Sequence, residues 1–384
     1  MSDVFMNTYH RLPVTFTSGD GCCLFDVNGK RYLDFSSGIA VNCLGHRHPA
    51  LLAALDAQAN KLFHVSNYYQ CDTSETFARK LTAAAKMKKV FLCNSGAEAN
   101  ECACKIARKY SLAKYGEGRH TIVTLKGSFH GRTITTLSAT GQDRLHKDFG
   151  PFTEGFRFVE PGDVNALKTA LDASTCALFI EAIQGESGVF PQSAEFIAAA
   201  AEICAKNDIL LMFDEIQCGM GRSGTFFAFE QYGVKADVAT LAKGLAGGLP
   251  VGATLAGETA CDVLGAGDHG STFGGNPLAA ACGIAALDVV NDAAFLKGIA
   301  EKGAYFKKKL EAMKPEITDV RGMGLMLAAD LNMDARTVLE KLLDRGVLAL
   351  SAGEGRTLRF LPPYIISKEQ IDEGLAILGG VLKS

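Results

Sequence analysis

The chain lacks the features that direct a protein to a membrane or to nucleic acid. It has no apolar stretch of about 18 residues, so no membrane-spanning helix is expected. Its first 13 residues include Asp3, Asn7, His10 and Arg11 in place of an apolar h-region, which argues against a signal peptide. The net charge of −3 gives no reason to expect nucleic acid or anionic lipid as a partner. We therefore expect a cytoplasmic protein.

Paired cysteines and metal-binding clusters are also lacking. No Cys-x-x-Cys occurs, and the 12 cysteines are dispersed along the 384 residues. Cys102 and Cys104 lie one position apart in a helix-like run, and buried free thiols in a reducing cytosol fit this pattern better than disulfides. His46 and His48 form a His-x-His pair that no carboxylate or thiol cluster joins, so no metal site is predicted.

The two common nucleotide-binding loops are missing or misplaced. The triphosphate-binding pattern Gly-x-x-x-x-Gly-Lys-Ser/Thr is absent, since Gly29-Lys30 is followed by Arg31. Residues 219–224 satisfy Gly-x-Gly-x-x-Gly, but the motif begins six residues after Phe213 and no convincing helix follows it. Neither a triphosphate site nor a dinucleotide site is predicted.

What is present from about residue 49 onward is an alternation of short apolar runs and helix-patterned segments. The expected strands are 90–93, 121–125, 156–159, 177–180, 209–213, 238–241 and 251–255. Helix patterns cover Glu98–Tyr115 and Ala194–Lys206. This alternation predicts an α/β fold with a mostly parallel seven-stranded sheet between helices. Ligands bind such sheets at the carboxyl ends of the strands.

The pattern of elements changes along the chain and predicts three segments. These are an N-terminal segment 1–48, a large domain 49–276 and a smaller C-terminal α+β domain 277–384. The first contains a hairpin over Cys22–Phe35, because Asn28-Gly29 is a strong two-residue turn between alternating apolar runs. The last has expected strands at Val347–Leu350 and Leu358–Leu361. We expect the N-terminal segment to join the smaller domain.

Lys243 and Asp214 are the most informative residues of the chain. Lys243 lies among small apolar residues, where poor solvation lowers the pKa of an ammonium and makes a neutral amine available to attack an aldehyde. Asp214 closes the apolar run 209–213 and could keep a pyridine nitrogen protonated. A Schiff-base lysine with an acidic partner is what pyridoxal phosphate chemistry requires. A solvated loop lysine and an ordinary aspartate after a strand remain alternatives.

Three further motifs surround this pair. In Ser95–Glu101, Ser95 and Glu98 form a capping box, and a strand that turns through Gly96 straight into a helix presents backbone N–H groups that suit a phosphate, although the motif could merely start a helix. In Gly127–Thr133, Phe129 could lie on a ring and Arg132 could hold a carboxylate in a fork. The loop Ser271–Pro277 offers hydroxyls and flexible backbone.

These motifs together resemble those of the class III aminotransferases. The resemblance runs from about Tyr9 to the end and is also carried by Ser37–Asn42, Gly45–Pro49, Gln184–Gly188 and Asp214–Gln217. It implies the fold of fold-type I pyridoxal phosphate enzymes and pyridoxal 5′-phosphate as cofactor. It also implies a homodimer, because the family builds each active site from two subunits.

The resemblance assigns roles to residues at the cofactor. Lys243 forms the Schiff base, Asp214 pairs with the pyridine nitrogen and Gln217 approaches the 3-hydroxyl side. Gly96 and Ala97 bind the phosphate through their backbone. The full set of implied cofactor residues is Ser95, Gly96, Ala97, Phe129, Asp214, Glu215, Ile216, Gln217, Lys243 and, reaching the neighbouring subunit's cofactor, Thr272.

The resemblance also assigns substrate-binding residues. Arg132 holds the α-carboxylate of the substrate, and Ser271 lies near the substrate of the neighbouring subunit. Arg359 resembles the family's second carboxylate-binding arginine, although an outward-facing arginine on an edge strand fits its spacing nearly as well. Glu186, paired with Arg359, would handle the part that differs between an acylated donor and glutamate.

The reaction that this resemblance implies moves the amino group of N2-acetyl-L-ornithine to 2-oxoglutarate, giving N-acetyl-L-glutamate 5-semialdehyde and L-glutamate in arginine biosynthesis. Ornithine, succinylornithine or 4-aminobutyrate as donor are alternatives with the same chemistry. A cofactor-binding regulatory relative without turnover is a non-enzyme alternative. The retained Lys243 and Asp214 argue against that last reading.

Overall fold

The computed structural model describes residues 4–353 and 355–384, so the part of the signal-peptide prediction that rests on Asp3 lies outside the described residues. The centre of the molecule is a seven-stranded sheet. Its strands are β4 (Lys89–Cys93), β5 (Thr121–Leu125), β6 (Phe156–Val159), β7 (Thr175–Ile180), β10 (Leu210–Asp214), β11 (Val238–Leu241) and β12 (Gly252–Ala256), in the order β4-β12-β11-β10-β7-β5-β6.

Buried apolar runs produce this sheet, and its predicted parallel character is confirmed. All neighbouring pairs from β11 to β6 are parallel, and β12 alone runs antiparallel to both of its neighbours. Strands β5, β7, β10, β11 and β12 are buried along their whole length, as expected when helices cover both faces. The helices of this region are α2 (Pro49–Ala59), α3 (Asp72–Ala85), α4 (Gly96–Tyr115), α5 (Ile134–Ala139), α6 (Asp143–His146), α7 (Val164–Ala170) and α8 (Ala194–Asn207).

Two smaller sheets flank the central one. The first combines β1 (Phe16–Asp20), β2 (Cys23–Asp26) and β3 (Arg31–Asp34) with β15 (Val347–Leu348), so the predicted N-terminal hairpin forms and pairs with a C-terminal strand. The second has the order β13-β14-β17-β16, with bounds β13 (Ile317–Met323), β14 (Met326–Leu331), β16 (Leu350–Ala352) and β17 (Thr357–Phe360). The remaining elements are β8 (Ile183–Gln184), β9 (Phe190–Pro191), α1 (Ser37–Ala40), α9 (Pro277–Val290), α10 (Ala293–Glu311), α11 (Ala335–Asp344), α12 (Lys368–Leu382) and 3-10 turns at Ala228–Tyr232 and Lys243–Ala246.

The single strand expected at Val347–Leu350 is wrong. The chain changes sheets at Ala349: β15 pairs with β3, whereas β16 pairs with β17. A continuous apolar run does not reveal such a change, because both halves are equally suited to a strand. The first helix of the C-terminal segment, α9, packs against α2 and α3, and α10 packs against β13. The domain boundaries at 48/49 and 276/277 remain a prediction.

The 12 cysteines are free thiols, ten of them buried and Cys71 and Cys261 partly exposed. In the part of the chain that the structure describes, no single helix is long and apolar enough to cross a membrane. Helices α9 and α10, bent by 74°, meet that requirement only when they are joined.

Candidate active site

A cavity of about 470 Å³ lies at the carboxyl edge of the central sheet. Its walls come from the segments that follow β4, β5, β7, β10 and β11, as the topology of a parallel sheet predicts. The lining residues are Val41, Asn94, Ser95, Gly96, Ala97, Phe129, His130, Gly131, Arg132, Glu181, Asp214, Ile216, Gln217, Ala242, Lys243, Gly248, Leu249, Pro250 and Val251. The cavity thus brings together eight of the ten residues expected to hold a cofactor.

Asp214 ends β10 inside the cavity and is held by several donors. Its Oδ2 accepts hydrogen bonds from Asn100 Nδ2 at 2.7 Å and His130 Nδ1 at 2.8 Å, and its Oδ1 accepts from the Ile216 N–H at 3.0 Å. Asn100 Oδ1 in turn accepts from Thr240 Oγ1 at 2.7 Å. Asp214 is only 3% exposed, so these bonds compensate the cost of burying its carboxylate and fix its orientation.

Lys243 follows β11 and starts a 3-10 turn. Burial and, to a smaller extent, the Arg359 guanidinium lower the pKa of its ammonium, while Asp214 and Glu181 act in the opposite direction, and the resulting pKa is about 8. Its φ of 44° lies in the left-handed region that residues with a side chain rarely adopt. An amine that loses its proton near neutral pH, on a constrained backbone, is suited to act as a nucleophile.

The opposite wall is the beginning of helix α4. Ser95 caps it by accepting from the Glu98 N–H at 3.2 Å, and the helix begins at Gly96, two residues before the predicted start. Glu98 Oε2 accepts from the Asn94 N–H at 2.6 Å and from Ser95 Oγ at 3.3 Å, in place of the Ser95 N–H that a reciprocal capping box requires. A β-carbon added to Gly96 would lie 2.7 Å from Ile216 Cδ1, so glycine is needed for this close approach. The free N–H groups of this first turn can bind an anion.

The loop after β5 supplies an aromatic ring and a cation. Phe129 lines the cavity, and the exposed guanidinium of Arg132 lies 5.6 Å from the centroid of its ring. The Phe129 N–H donates to Glu181 Oε2 at 3.0 Å, and Glu181 Oε1 accepts from the Gly185 N–H at 3.3 Å. Burial raises the pKa of Glu181 to about 7, with the nearby Asp214 acting in the same direction. Glu181 therefore ties the loop after β5 to the loop after β7.

Sequence reasoning missed Asn100, His130 and Glu181 as parts of the site. A signal existed for Glu181, because it directly follows β7 just as Asp214 closes β10. His130 lies inside the Gly127–Thr133 motif, but its contact to Asp214 bridges two distant loops. Asn100 is fully buried on α4, where most of the buried residues are apolar, and a fully buried polar side chain usually has a fixed partner.

Glu215 was expected at the cofactor, and the structure places its carboxylate elsewhere. Its oxygens accept from the Ala228 N–H at 2.7 Å and the Phe229 N–H at 3.0 Å, and it is not among the residues that line the cavity. Successive residues leaving a strand point to opposite faces, so when Asp214 faces the cavity its neighbour turns away. Burial raises the pKa of Glu215 to about 8.

Arg359 and Glu186 lie beside the cavity and do not line it. Arg359 Nη1 donates to the Gly185 carbonyl at 2.9 Å and to Gln217 Oε1 at 3.1 Å. Glu186 is ion-paired with Arg144 at 2.8 Å, which differs from the expected Glu186–Arg359 pair. Arg359 is buried on β17, so the alternative of an outward-facing arginine is wrong.

Thr272 and Ser271 also do not line this cavity. Thr272 is exposed and lines a second cavity of about 250 Å³ with Asn67 and Tyr69. Ser271 Oγ accepts from Asn94 Nδ2 at 3.1 Å. Within residues 4–353 and 355–384, no group of three or more His, Cys, Asp or Glu side chains is arranged to hold a metal ion.

The residues of the cavity fit pyridoxal phosphate. The first turn of α4 suits its phosphate, Asp214 Oδ1 has one protein donor and can accept another from a ring nitrogen, and the Phe129 ring offers an apolar face. Lys243 lines the same cavity with an amine of lowered pKa, as a Schiff base requires.

Comparisons with known proteins agree with this chemistry. Residues 4–382 match the family model described as Aminotransferase class-III. The chain is 47% identical over 381 residues to a protein named acetylornithine aminotransferase from Caldanaerobacter subterraneus subsp. tengcongensis, covering 98% of this chain and 96% of that one. The solved ornithine aminotransferase from Toxoplasma gondii superposes with a TM-score of 0.94 at 34% identity, covering 99% and 92% of the two chains.

A second solved structure bears the acetylornithine name. The N-acetylornithine aminotransferase from Stenotrophomonas maltophilia superposes with a TM-score of 0.86 at 36% identity, covering 98% of this chain and 97% of that one. These likenesses confirm the predicted fold-type I architecture, and pyridoxal phosphate is the cofactor of the family. A family match over nearly the whole length, together with the geometry of Lys243 and Asp214, leads to one conclusion: the chain belongs to the class III aminotransferases.

Proposed function

We propose that this aminotransferase moves the amino group of N2-acetyl-L-ornithine to 2-oxoglutarate, producing N-acetyl-L-glutamate 5-semialdehyde and L-glutamate in arginine biosynthesis in the cytoplasm. The observation that carries the transaminase chemistry is the convergence of Lys243 and Asp214 on one cavity beside the first turn of α4. The choice of donor is supported by the relative named acetylornithine aminotransferase at 47% identity.

The protein's own groups have distinct roles in this reaction. When bound, pyridoxal phosphate supplies an aldehyde that takes up the amino group and a ring that accepts electrons. Asp214 holds a proton on the ring nitrogen, and Asn100 and His130 keep its carboxylate aimed at that position. Lys243 Nζ accepts the proton removed from the reacting carbon of the donor, which an amine with a pKa of about 8 can do near neutral pH.

Two arginines distinguish the two substrates by the positions of the substrate carboxylates. In N2-acetyl-L-ornithine the reacting amino group is the terminal one, so its only carboxylate lies far from the reacting carbon. Glutamate carries a far carboxylate and a second one on the reacting carbon. Arg132, exposed at the cavity wall, takes the far carboxylate, which in the acylated donor is the α-carboxylate.

Arg359 takes the carboxylate that only glutamate and 2-oxoglutarate have. Its Nη1 donates to Oε1 of Gln217, which lines the same cavity as Lys243, and this contact supports a position near the reacting carbon. A Glu186 side chain paired with Arg359 would cancel this charge for the acylated donor, and a Glu186 turned away would leave it available for the dicarboxylate. The ion pair of Glu186 with Arg144 corresponds to the second arrangement.

The active form is a homodimer in which Thr272 and Ser271 complete the partner's site. This is supported by the exposed Thr272 and by large exposed apolar side chains near its loop. These side chains are Phe63, Tyr68, Tyr69 and Phe273. Light scattering of the purified protein tests the assembly, and Thr272→Ala should weaken cofactor retention if the hydroxyl reaches the partner's phosphate. A monomer with full activity would contradict the shared site.

The donor is tested by a panel of N2-acetyl-L-ornithine, ornithine, succinylornithine and 4-aminobutyrate, each assayed with 2-oxoglutarate. We expect the highest kcat/KM with N2-acetyl-L-ornithine. Ornithine is the second candidate, because the ornithine aminotransferase structure superposes with a TM-score of 0.94. A kcat/KM for ornithine that exceeds the value for the acylated donor would reverse this assignment and leave the chemistry unchanged.

A further inference from the structure

The carboxylate of Glu186 is bonded to Arg144, the outer and more exposed of two arginines in this region. The inner arginine, Arg359, is buried and contacts the adjacent residue Gly185. Arg144 Nη2 donates to Glu186 Oε1 at 2.8 Å and to Oε2 at 3.1 Å. Arg359 makes no ion pair with any carboxylate in residues 4–353 and 355–384, yet its Nη1 donates to the carbonyl of Gly185, the residue directly before Glu186, at 2.9 Å. Glu186 is therefore near enough to Arg359 to interact with it and is held elsewhere.

Arg144 is itself held in place. The same Nη2 donates to Gln142 Oε1 at 2.8 Å, and Gln142 Nε2 donates to the Ser128 carbonyl at 3.1 Å. Gln142 is buried, and Ser128 is the neighbour of the cavity residue Phe129. Arg144 is thus fixed to the loop that forms the cavity wall, although its side chain is 56% exposed.

We propose that Arg144 is a specificity-determining positioning residue that draws Glu186 away from Arg359 and so keeps Arg359 open to dicarboxylate substrates. The inference rests on the proposed division of roles between Glu186 and Arg359. Two cations compete for one carboxylate, so the stability of the outer pair sets the fraction of molecules in which Arg359 is free. A partly exposed ion pair shifts such an equilibrium by up to about fivefold.

Replacing Arg144 should shift Glu186 toward Arg359. In Arg144→Gln we expect the dissociation constant of glutarate, a non-reacting dicarboxylate, to increase about twofold to fivefold. The KM for 2-oxoglutarate should increase by a similar factor, whereas the half-reaction with the acylated donor should not slow. Arg144→Lys keeps the charge and should recover part of the loss. High salt should reduce the difference between the natural protein and Arg144→Gln, because it screens an exposed pair.

A double-mutant cycle with Glu186→Gln distinguishes this role from a structural one. Glutarate binding to the cofactor-loaded protein is measured by calorimetry for the natural protein, both single variants and the double variant. Glu186→Gln should bind glutarate at least as tightly as the natural protein, and adding Arg144→Gln to it should have no further effect. The matched control is Arg336→Gln, which removes an exposed ion pair with Glu340 on α11 and should leave binding unchanged.

Each other outcome overturns the inference. If Arg144→Gln weakens glutarate binding equally in the natural protein and in Glu186→Gln, Arg144 contacts the ligand or supports the fold. If glutarate affinity changes in Glu186→Gln but not in Arg144→Gln, Arg144 does not position Glu186, and the proposed function stays intact. If Glu186→Gln does not alter the ratio of the two half-reactions, the roles proposed for Glu186 and Arg359 fail together with this inference.

Discussion

The two ends of the active site are built on different principles. At the cofactor end Asp214 is 3% exposed and accepts three hydrogen bonds from Asn100, His130 and its own loop. At the substrate end Arg132 is exposed, and Glu186 pairs with Arg144, whose side chain is 56% exposed. A buried charge with several partners has one stable arrangement, whereas an exposed pair exchanges partners at little cost.

This difference separates chemistry from specificity. Changing a buried, multiply bonded group leaves its partners unsatisfied and costs far more than the lost contact. Changing the exposed Arg144 alters the balance between two substrates without disturbing the reaction. We therefore expect variants at the cofactor end to reduce both half-reactions strongly, and variants of Arg144 and Arg359 to reduce one half-reaction moderately.

The largest effect is expected for Lys243→Ala. The variant loses both the amine that reacts with the aldehyde and the base that accepts the proton, so kcat should fall by about 10⁴-fold, the upper end of what acid–base catalysis contributes. The cofactor should still bind, without a covalent link, because α4 and Asp214 are unchanged. Steady-state turnover and the absorbance spectrum check this. Near-normal turnover without added amine would remove Lys243 from its role.

Asp214→Asn is expected to fold and to lose roughly 10²-fold to 10³-fold in both half-reactions. An amide cannot supply the negative charge that keeps a ring nitrogen protonated. The amide also places an N–H donor where an acceptor is needed, because Asn100 Nδ2, His130 Nδ1 and the Ile216 N–H all donate to the natural carboxylate. Single-turnover rates with glutamate provide the measurement, and circular dichroism verifies the fold. Rates equal to those of the natural protein would contradict the assignment.

The same contrast explains which parts of the molecule the sequence predicts. Strands of the central sheet follow from apolar runs, and the carboxyl-edge rule then brings Asp214 and Lys243 together without any knowledge of their contacts. Local motifs also place the start of α4 within two residues. These features depend on neighbours in the chain.

Contacts between distant segments are harder to predict. The Asn100 and His130 bonds to Asp214 join three elements, and the Glu186–Arg144 pair joins two loops. Nothing in the local sequence distinguishes Arg144 from Arg359 as the partner of Glu186, because both are arginines of unknown orientation. Glu215 is different: its position next to Asp214 at a strand end already indicates that the two side chains diverge.

The buried carboxyls of the site predict a dependence of stability on pH. Burial raises the pKa of Glu181 from 4.5 to about 7, so its folded form binds a proton more tightly than its unfolded form. This contribution to the free energy of unfolding is full below pH 4.5 and is lost as the pH rises through about 7. It amounts to about 3 kcal/mol for a shift of this size. Burial also raises the pKa of Glu215 from 4.5 to about 8, so its contribution to the free energy of unfolding is lost in the same way, between these two pH values.

Urea unfolding of the cofactor-free protein at pH 5 and pH 8 tests this expectation. The glutamine of Glu181→Gln cannot ionise. The free energy of unfolding of this variant should therefore decrease less from pH 5 to pH 8 than that of the natural protein. Glu215→Gln is the matched variant, since it removes an equally buried carboxyl that does not line the cavity. Cofactor affinity should change with pH differently in Glu181→Gln alone, because only Glu181 accepts from the Phe129 N–H. An unaltered pH dependence of unfolding in Glu181→Gln would show that the carboxyl keeps an ordinary pKa.

The smallest of these effects is expected for Arg359→Ala, and it applies to one substrate only. Arg359 is buried and, among residues 4–353 and 355–384, donates only to the Gly185 carbonyl and Gln217 Oε1, so its remaining donors can meet a carboxylate on the reacting carbon. A hydrogen bond to a charged group contributes roughly 1.5 to 3 kcal/mol, so the KM for 2-oxoglutarate should increase about tenfold to a hundredfold. The KM for N2-acetyl-L-ornithine should change less, because that donor has no carboxylate at this carbon. Single-turnover kinetics of both half-reactions separate these effects, with Arg132→Ala as the comparison that should weaken both substrates. Equal losses with both substrates in Arg359→Ala would mean that this guanidinium supports the loop at Gly185 and does not select between them.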